Sequence, residues 1–279
     1  MIVRAARLVT TALVVGLGLS QVILTIGDWH LRDMGAYWEA AMRLREGEPL
    51  YPPLVDTEAS DVYRYAPWFA WAWVPLTHLP REIVNVLWSG VLLAASGLAL
   101  VPLARARAWL LVAFFAPILV GITAIGNVQP LIVAALVLGV ERRTGPLWIA
   151  MTASLKAVPI LFIATYLGRR EWARAGLAVV LTAILVGPML IYGLEHYPSG
   201  AGEAAMLLTW PFAYALVVGL GIVASLRLAR SRFAWLGSST AVCLAAPRFF
   251  VYDITFLMAA IPSTQTRDVH MDNTAGSGP

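Results

Sequence analysis

Long apolar runs separated by short clusters of charge set the pattern of this chain. Leu8–Gly27, Ile83–Ala104, Ala108–Val140, Ala175–Leu194 and Ala204–Leu226 contain no Asp, Glu, Lys or Arg. Each reaches or passes the roughly 20 residues that a helix needs to cross a hydrocarbon core. The pattern predicts an all-α polytopic membrane protein, with residues 1–262 as a single integral membrane domain. The polar, Gly-ended stretch 263–279 reads as a disordered cytoplasmic tail. No period along the chain indicates internal repeats of the kind many transporters carry.

The first run lacks an Ala-x-Ala site and is longer than the roughly 7–15 apolar residues of a signal peptide, so it reads as an uncleaved span. Arg4 and Arg7 place its start inside by the positive-inside bias. Residues 28–64 then form the first extracytoplasmic loop, with eight acidic residues against four Arg. Within it Asp33–Glu46 predicts a helix: Tyr37, Ala41 and Leu44 share a face, Glu39 and Arg43 pair at i,i+4, and Gly47 is placed to end it. Trp38 and Met42 beside that face suggest a helix lying along the membrane surface. Pro49, Pro52 and Pro53 force an extended path after it.

The segment Pro67–Leu79, with Trp68, Phe69, Trp71 and Trp73, has the tryptophan density of an interface belt. It is long enough only for a short crossing or a shallow helix. Ala108–Val140 is too long for one span and short for two, and Gly126-Asn127 and Pro130 break it. Gly145–Gly168 carries Lys156 and Pro159 at its middle. Broken or re-entrant helices resolve both runs, and such backbone is tolerated at membrane depth only where it lines a protein-buried or wet cavity. Both breaks therefore point toward a site. Ala175–Leu194 goes out, Glu195–Glu203 is an acidic outer loop, and Ala204–Leu226 returns to Arg227, Arg230 and Arg232. Phe233–Pro262 makes one or two spans, interrupted by Arg248 and Asp253.

Composition sharpens the class. The 279 residues are 59% hydrophobic and 13% charged, whereas soluble domains carry about 45–50% apolar and about 25% charged residues. Too little polar surface remains to wet a globule, which excludes a soluble enzyme, a secreted disulfide scaffold and a disordered chain. Cys243 is the one cysteine, so no intramolecular disulfide forms. The net charge of +4 is spread beside apolar runs, without the aromatic-interleaved basic block of a nucleic-acid groove. No His spacing suits a metal, and no cofactor is implied.

Six positions carry the candidate chemistry. Asp33 opens the surface helix at the outer lip of the membrane. It fits two roles, an N-cap that accepts the first free amides and a general base toward a sugar hydroxyl. Position alone favours the cap. Asp28 reads as an ordinary loop acid. Lys156, the one Lys among twenty cations, lies more than ten residues from the nearest Arg. A mid-membrane charge costs roughly 2.5–3.5 kcal/mol even on the lenient insertion scale. That distance argues against snorkelling and for a wet cavity with an anionic ligand. Arg248 and Asp253 either neutralise each other or join the site. Asn127 and Gln129 either cap the broken helix ends or bind a hydroxylated ligand.

The run Asp33-Met-Gly-Ala-Tyr37-Trp-Glu-Ala-Ala-Met-Arg-Leu-Arg-Glu-Gly47-Glu-Pro49-Leu-Tyr51 resembles the first-loop signature of polyprenyl-phosphate-mannose-dependent mannosyltransferases, glycosyltransferase family eighty-seven of the GT-C class. Tyr63-Arg-Tyr65-Ala-Pro67, Pro75 and Leu79-Pro80 continue the likeness. Gly126-Asn127-Val-Gln129-Pro130 is similar to the family's Gly-Gln-x-Asn element with the amides exchanged. Leu155-Lys156-Ala-Val-Pro159, Arg169-Arg170-Glu-Trp172 and Tyr252-Asp253 follow in family order. The resemblance covers about residues 28–175 well and the last hundred residues thinly.

It implies a GT-C-like bundle of about 8–10 transmembrane helices in the plasma membrane, with an outward-facing site. Asp33 would be the base. Lys156, Asn127, Gln129, Tyr37, Tyr65, Arg248 and Asp253 would bind donor and acceptor. The donor would be a polyprenyl-phosphate sugar, commonly mannose, transferred with inversion to a glycolipid or glycan acceptor. Membrane lipid is the surrounding partner, and nucleic acid is not one. Family members are usually longer, so an inactive short relative acting as a partner subunit stays open. A small-solute transporter also stays open: it explains the broken helices and Lys156, but not the acidic surface helix.

Overall fold

A computed structural model describes residues 11–16, 18–20, 22–23, 25, 28–52, 62–192, 209–247 and 249–260. The Arg4 and Arg7 flank, the loop acids Asp56, Glu58 and Asp61, the Glu195–Glu203 loop, Arg248 and the 263–279 tail lie outside the described residues. Every regular element among the described residues is helical. In order they are α1 (Thr11–Ser20), α2 (Arg32–Glu46), α3 (Pro67–Trp73), α4 (Arg81–Arg105), α5 (Trp109–Ala124), α6 (Gln129–Gly139) and α7 (Gly145–Leu155). After these come α8 (Ile163–Gly168), α9 (Trp172–Val186), α10 (Pro211–Leu228) and α11 (Ala234–Leu244). Stretches of 3-10 helix cover Val74–His78, Val158–Phe162, Gly187–Leu190 and Val251–Ala260.

Three helical stretches, Arg81–Arg105, Trp172–Leu190 and Pro211–Leu228, are long and apolar enough to cross a membrane. Val86 on α4, Ile184 on α9 and Leu216 on α10 point outward with most of their surface uncovered. Apolar area left in water forfeits about 25 cal/mol per Å², so continuous bands of this kind match hydrocarbon surroundings. Helices meet where small residues let backbones approach. A Cβ on Gly221 of α10 would lie 3.0 Å from the Ala241 Cα of α11, and one on Gly237 would lie 2.8 Å from the Ser225 Cα. The Thr165 and Ser238 hydroxyls, 2.6 Å apart, tie α8 to the same pair.

The remaining apolar runs are cut into short helices. The expected interruption at Gly126-Asn127 separates α5 from α6, and the one at Lys156 ends α7. A third separates α11 from Val251–Ala260. Each has a local cause. Gly126 turns the chain with φ +80°. Pro130 and Pro159 lie at the first positions of the next helical piece, where their missing N–H costs nothing. Pro247 lies in the gap after α11. Hydropathy by run length counts such pieces as spans, whereas three of the described helices have spanning length.

Helix α2 begins one residue before the expected start and ends as expected. Gly47 adopts the left-handed region at φ +76°, and the Glu48 N–H donates to the Arg43 carbonyl (2.8 Å). That is the Schellman closure, which Gly enters without Cβ strain. The buried face of α2 turns toward the protein. Tyr37, fully buried, has Tyr65, Phe69, Trp73 and Trp88 around it at ring-centroid distances of 5.1, 5.1, 5.4 and 5.9 Å. Edge-to-face pairs of this kind contribute about 0.5–1.5 kcal/mol each beyond area burial. Phe69 and Trp73, four apart on α3, are thus core residues and not belt residues, while Trp71 on the opposite face stays exposed.

Candidate functional site

The site grows from the broken end of α5. The last carbonyls of a helix have no partner within it, and here loop and side-chain donors take them. The Leu31 N–H donates to the Ala124 carbonyl (2.9 Å), the Asp33 N–H to that of Ile125 (2.8 Å), and the Trp88 Nε1–H to that of Gly126 (2.9 Å). Gly126 is required twice over: its φ is positive, and a Cβ would sit 3.0–3.2 Å from Met34 and Leu31 atoms. Leu31 is itself left-handed at φ 48°, a conformation costing roughly 1–2 kcal/mol for a residue with a Cβ. These hydrogen bonds hold the strain in place, and it delivers Asp33 to the break.

The capping role favoured by position does not hold. Leu31 occupies the N-cap of α2, with no side-chain capping bond, and Asp33 lies inside the first turn. Its Oδ2 instead accepts a hydrogen bond from Asn127 Nδ2 at 2.5 Å. Asn127 Oδ1 accepts the Gln129 backbone N–H (2.9 Å), which starts α6. Of the two roles considered for Asn127, service to the broken helix end is met by this bond, made from the position before the Val128 N-cap, together with a contact to the carboxylate.

Two other expected ligand contacts are internal. Gln129 is fully buried and donates from Nε2 to Thr255 Oγ1 (3.2 Å), bridging α6 to Val251–Ala260. Tyr37 is fully buried, its hydroxyl 3.1 Å from that of Tyr65 and accepting the Val128 N–H (3.2 Å). Neither presents surface to a ligand, because the aromatic core and the α6 start enclose them. Tyr65 is half-buried at the edge of that cluster.

Lys156 stands at the broken end of α7 in extended backbone. Its Nζ lies 3.3 Å from Asp253 Oδ1 and 4.4 Å from the centre of the Tyr252 ring. Asp253 is nearly fully buried, while the Lys156 side chain keeps 21% of its surface accessible. The charge therefore has a partner, and the side chain that carries it is not fully sealed. Asp253 Oδ2 also accepts the Phe250 N–H (2.9 Å), fixing the turn before Val251–Ala260. Arg248, the partner considered for Asp253, lies outside the described residues. The start of α3 is docked beside Lys156: the Ala66 N–H donates to the Ser154 carbonyl (3.4 Å) and Trp68 Nε1 to Ser154 Oγ (2.9 Å).

Three breaks remote in sequence thus converge, bringing together Asp33, Asn127, Lys156 and Asp253. Burial pushes the Asp33 carboxyl above its ordinary value, and the Asn127 amide followed by the charges of Lys156, Arg32 and Arg64 pulls it back. A half-buried carboxylate facing several cations can exchange a proton with a hydroxyl while an anion is held nearby. Arg32 and Arg64 escaped the sequence reading, although Arg64 stands inside the Tyr63-Arg-Tyr65 element. Thr255 gave no signal at all. No family model, curated protein or solved structure matches the chain.

Proposed function

We propose that the chain is a polytopic GT-C-like membrane glycosyltransferase. It moves a sugar, mannose by the resemblance of its motifs, from a polyprenyl-phosphate donor to an extracytoplasmic glycolipid or glycan acceptor. The observation that carries this reading is a half-buried carboxylate, Asp33, set at one helix break within electrostatic reach of the part-exposed Lys156 side chain at another. A lipid-tailed donor needs an apolar face for its tail and a cation for its phosphate, and both are present. In the reaction, the acceptor hydroxyl oxygen attacks the anomeric carbon from the face opposite the phosphate. The bond from that carbon to the phosphate oxygen breaks, and the lipid phosphate leaves with the bonding pair. Asp33 takes the hydroxyl proton. Lys156, with Arg64 and Arg32, balances the charge gathering on the phosphate.

The test is transfer of labelled mannose from polyprenyl-phosphate-mannose by the purified chain in lipid, with Asp33→Asn as the control. Absence of transfer to any glycolipid fraction while the protein stays folded would reject the reading. A second reading, a small-solute transporter, draws on the Lys156–Asp253 pair at 3.3 Å between two broken helices. Paired intramembrane charges mark solute and proton pathways. Solute uptake into proteoliposomes, abolished by Asp253→Asn and indifferent to Asp33→Asn, would favour it.

A further inference from the structure

We infer that Asn127 is a positioning residue for Asp33: the Gln129 backbone N–H turns its side chain so that the amide holds one carboxylate oxygen and leaves the other for a hydroxyl. The positioning rests on geometry, and its catalytic meaning rests on the transferase reading above. An asparagine side chain has one accepting end and one donating end. The Gln129 N–H can only donate, so Oδ1 must face it, at 2.9 Å. The NH₂ end then points the other way and meets Asp33 Oδ2 at 2.5 Å. Asn127 is itself buried, so the amide cannot turn away into solvent. The start of α6 thereby dictates the orientation of a carboxylate on α2, 94 residues away in sequence.

The donated hydrogen bond favours the ionised form. It works against burial, the largest influence on this carboxyl, and alongside the charges of Lys156 at the end of α7, Arg32 on α2 and Arg64 ahead of α3. The Tyr37 hydroxyl on α2 also feels the Asp33 charge. None of these groups is altered in the variants below, so a shift in Asp33 reports the amide.

The experiment is an infrared titration of the protonated Asp33 carboxyl in the full chain in lipid nanodiscs, the band being assigned by its loss in Asp33→Asn. In Asn127→Ser, the hydroxyl still offers the Gln129 N–H a local acceptor but has no donor that reaches Asp33. The Asp33 midpoint should move to higher pH, and transfer near the wild-type midpoint should fall several-fold and recover at alkaline pH. N127D is nearly isosteric, so it preserves packing if the serine variant fails to fold. It sets carboxylate against carboxylate, and one proton should be retained to still higher pH. A midpoint that rises without any transfer in the wild type supports the positioning and removes the transferase reading. A midpoint unchanged in whichever variant folds overturns the inference.

Discussion

Two regions of the molecule gather charge at helix ends, and they use it differently. Where the turns after α6, α8 and α10 meet, arginines serve backbone carbonyls. Arg174 reaches the Arg142 carbonyl (2.6 Å), the Tyr166 hydroxyl (3.1 Å) and Glu171 Oε2 (2.6 Å). Arg169 donates to the Ala229 carbonyl (2.8 Å) and lies over the Trp235 ring, whose Nε1 donates to Glu141 Oε1 (2.7 Å). Arg169 takes a carbonyl just past the end of α10, and Arg174 adds a charged donor to a turn carbonyl that the Gly145 N–H also reaches. At the convergence of the three breaks, backbone N–H groups and an indole serve the broken end of α5, and the charges are left to face one another. Asp33 takes its hydrogen bond from a neutral amide, and Lys156 meets a carboxylate and an aromatic face in place of a carbonyl. Charge spent on carbonyls builds a joint, whereas charge spared from them is available to a ligand.

The contrast breaks most sharply at Asp33. Asp33→Asn should lower transfer by about 10²–10⁴-fold, the range a lost general base produces, with normal yield because the residue does not cap α2. A variant within a few-fold of wild type would move Asp33 to the structural side of the comparison. The substitution also alters the pH dependence of stability. Burial raises the folded Asp33 value, so its neutral form favours the fold. That contribution is fully present below the unfolded value and is lost as pH rises through the raised folded value. Thermal midpoints across that window should lose this component in Asp33→Asn.

Lys156→Met should be the next largest. It leaves the Asp253 carboxylate buried without its cation, and breaking a buried pair costs about 3–5 kcal/mol. Detergent-stable yield should fall, and adding Asp253→Asn should restore it. Donor-lipid binding should stay lost in the double variant. Restored binding there would assign Lys156 to structure alone.

Arg174→Met tests the opposite region. Loss of charge-assisted bonds to carbonyls should cost about 1.5–3 kcal/mol, read as a lower thermal midpoint, while transfer per folded molecule stays unchanged. A changed KM for the donor would contradict the division between the two regions.

The smallest effects separate two left-handed glycines. Gly47→Ala should cost about 1 kcal/mol of stability, from conformation alone, because a Cβ there meets open space. Gly126→Ala adds contacts of 3.0–3.2 Å with Met34 and Leu31, so it should cost more stability and also reduce transfer by shifting Asp33. Equal effects at both positions would show that the α5–α6 break does not position the carboxylate.

Much of the fold is legible in the sequence. The charge-free runs identified the long helices, because burying a charge in hydrocarbon is costly and its absence is therefore informative. Gly47 and the i,i+3/i+4 apolar positions located α2, since a helix stop and a helix face are local properties. Gly126-Asn127 and Lys156–Pro159 announced the breaks for the same reason. What local pattern could not supply was partnership. That Asp33 answers to Asn127 and not to its own helix start, that Lys156 meets Asp253, and that Tyr37 and Gln129 are sealed inside all depend on contacts spanning 28 to 126 residues. Backbone propensity and hydropathy act over a turn or a span, so they determined where the chain bends and which stretches avoid water. Which polar groups meet at the bends was decided only by packing, because a buried donor or acceptor is satisfied by whatever the tertiary fold brings within reach.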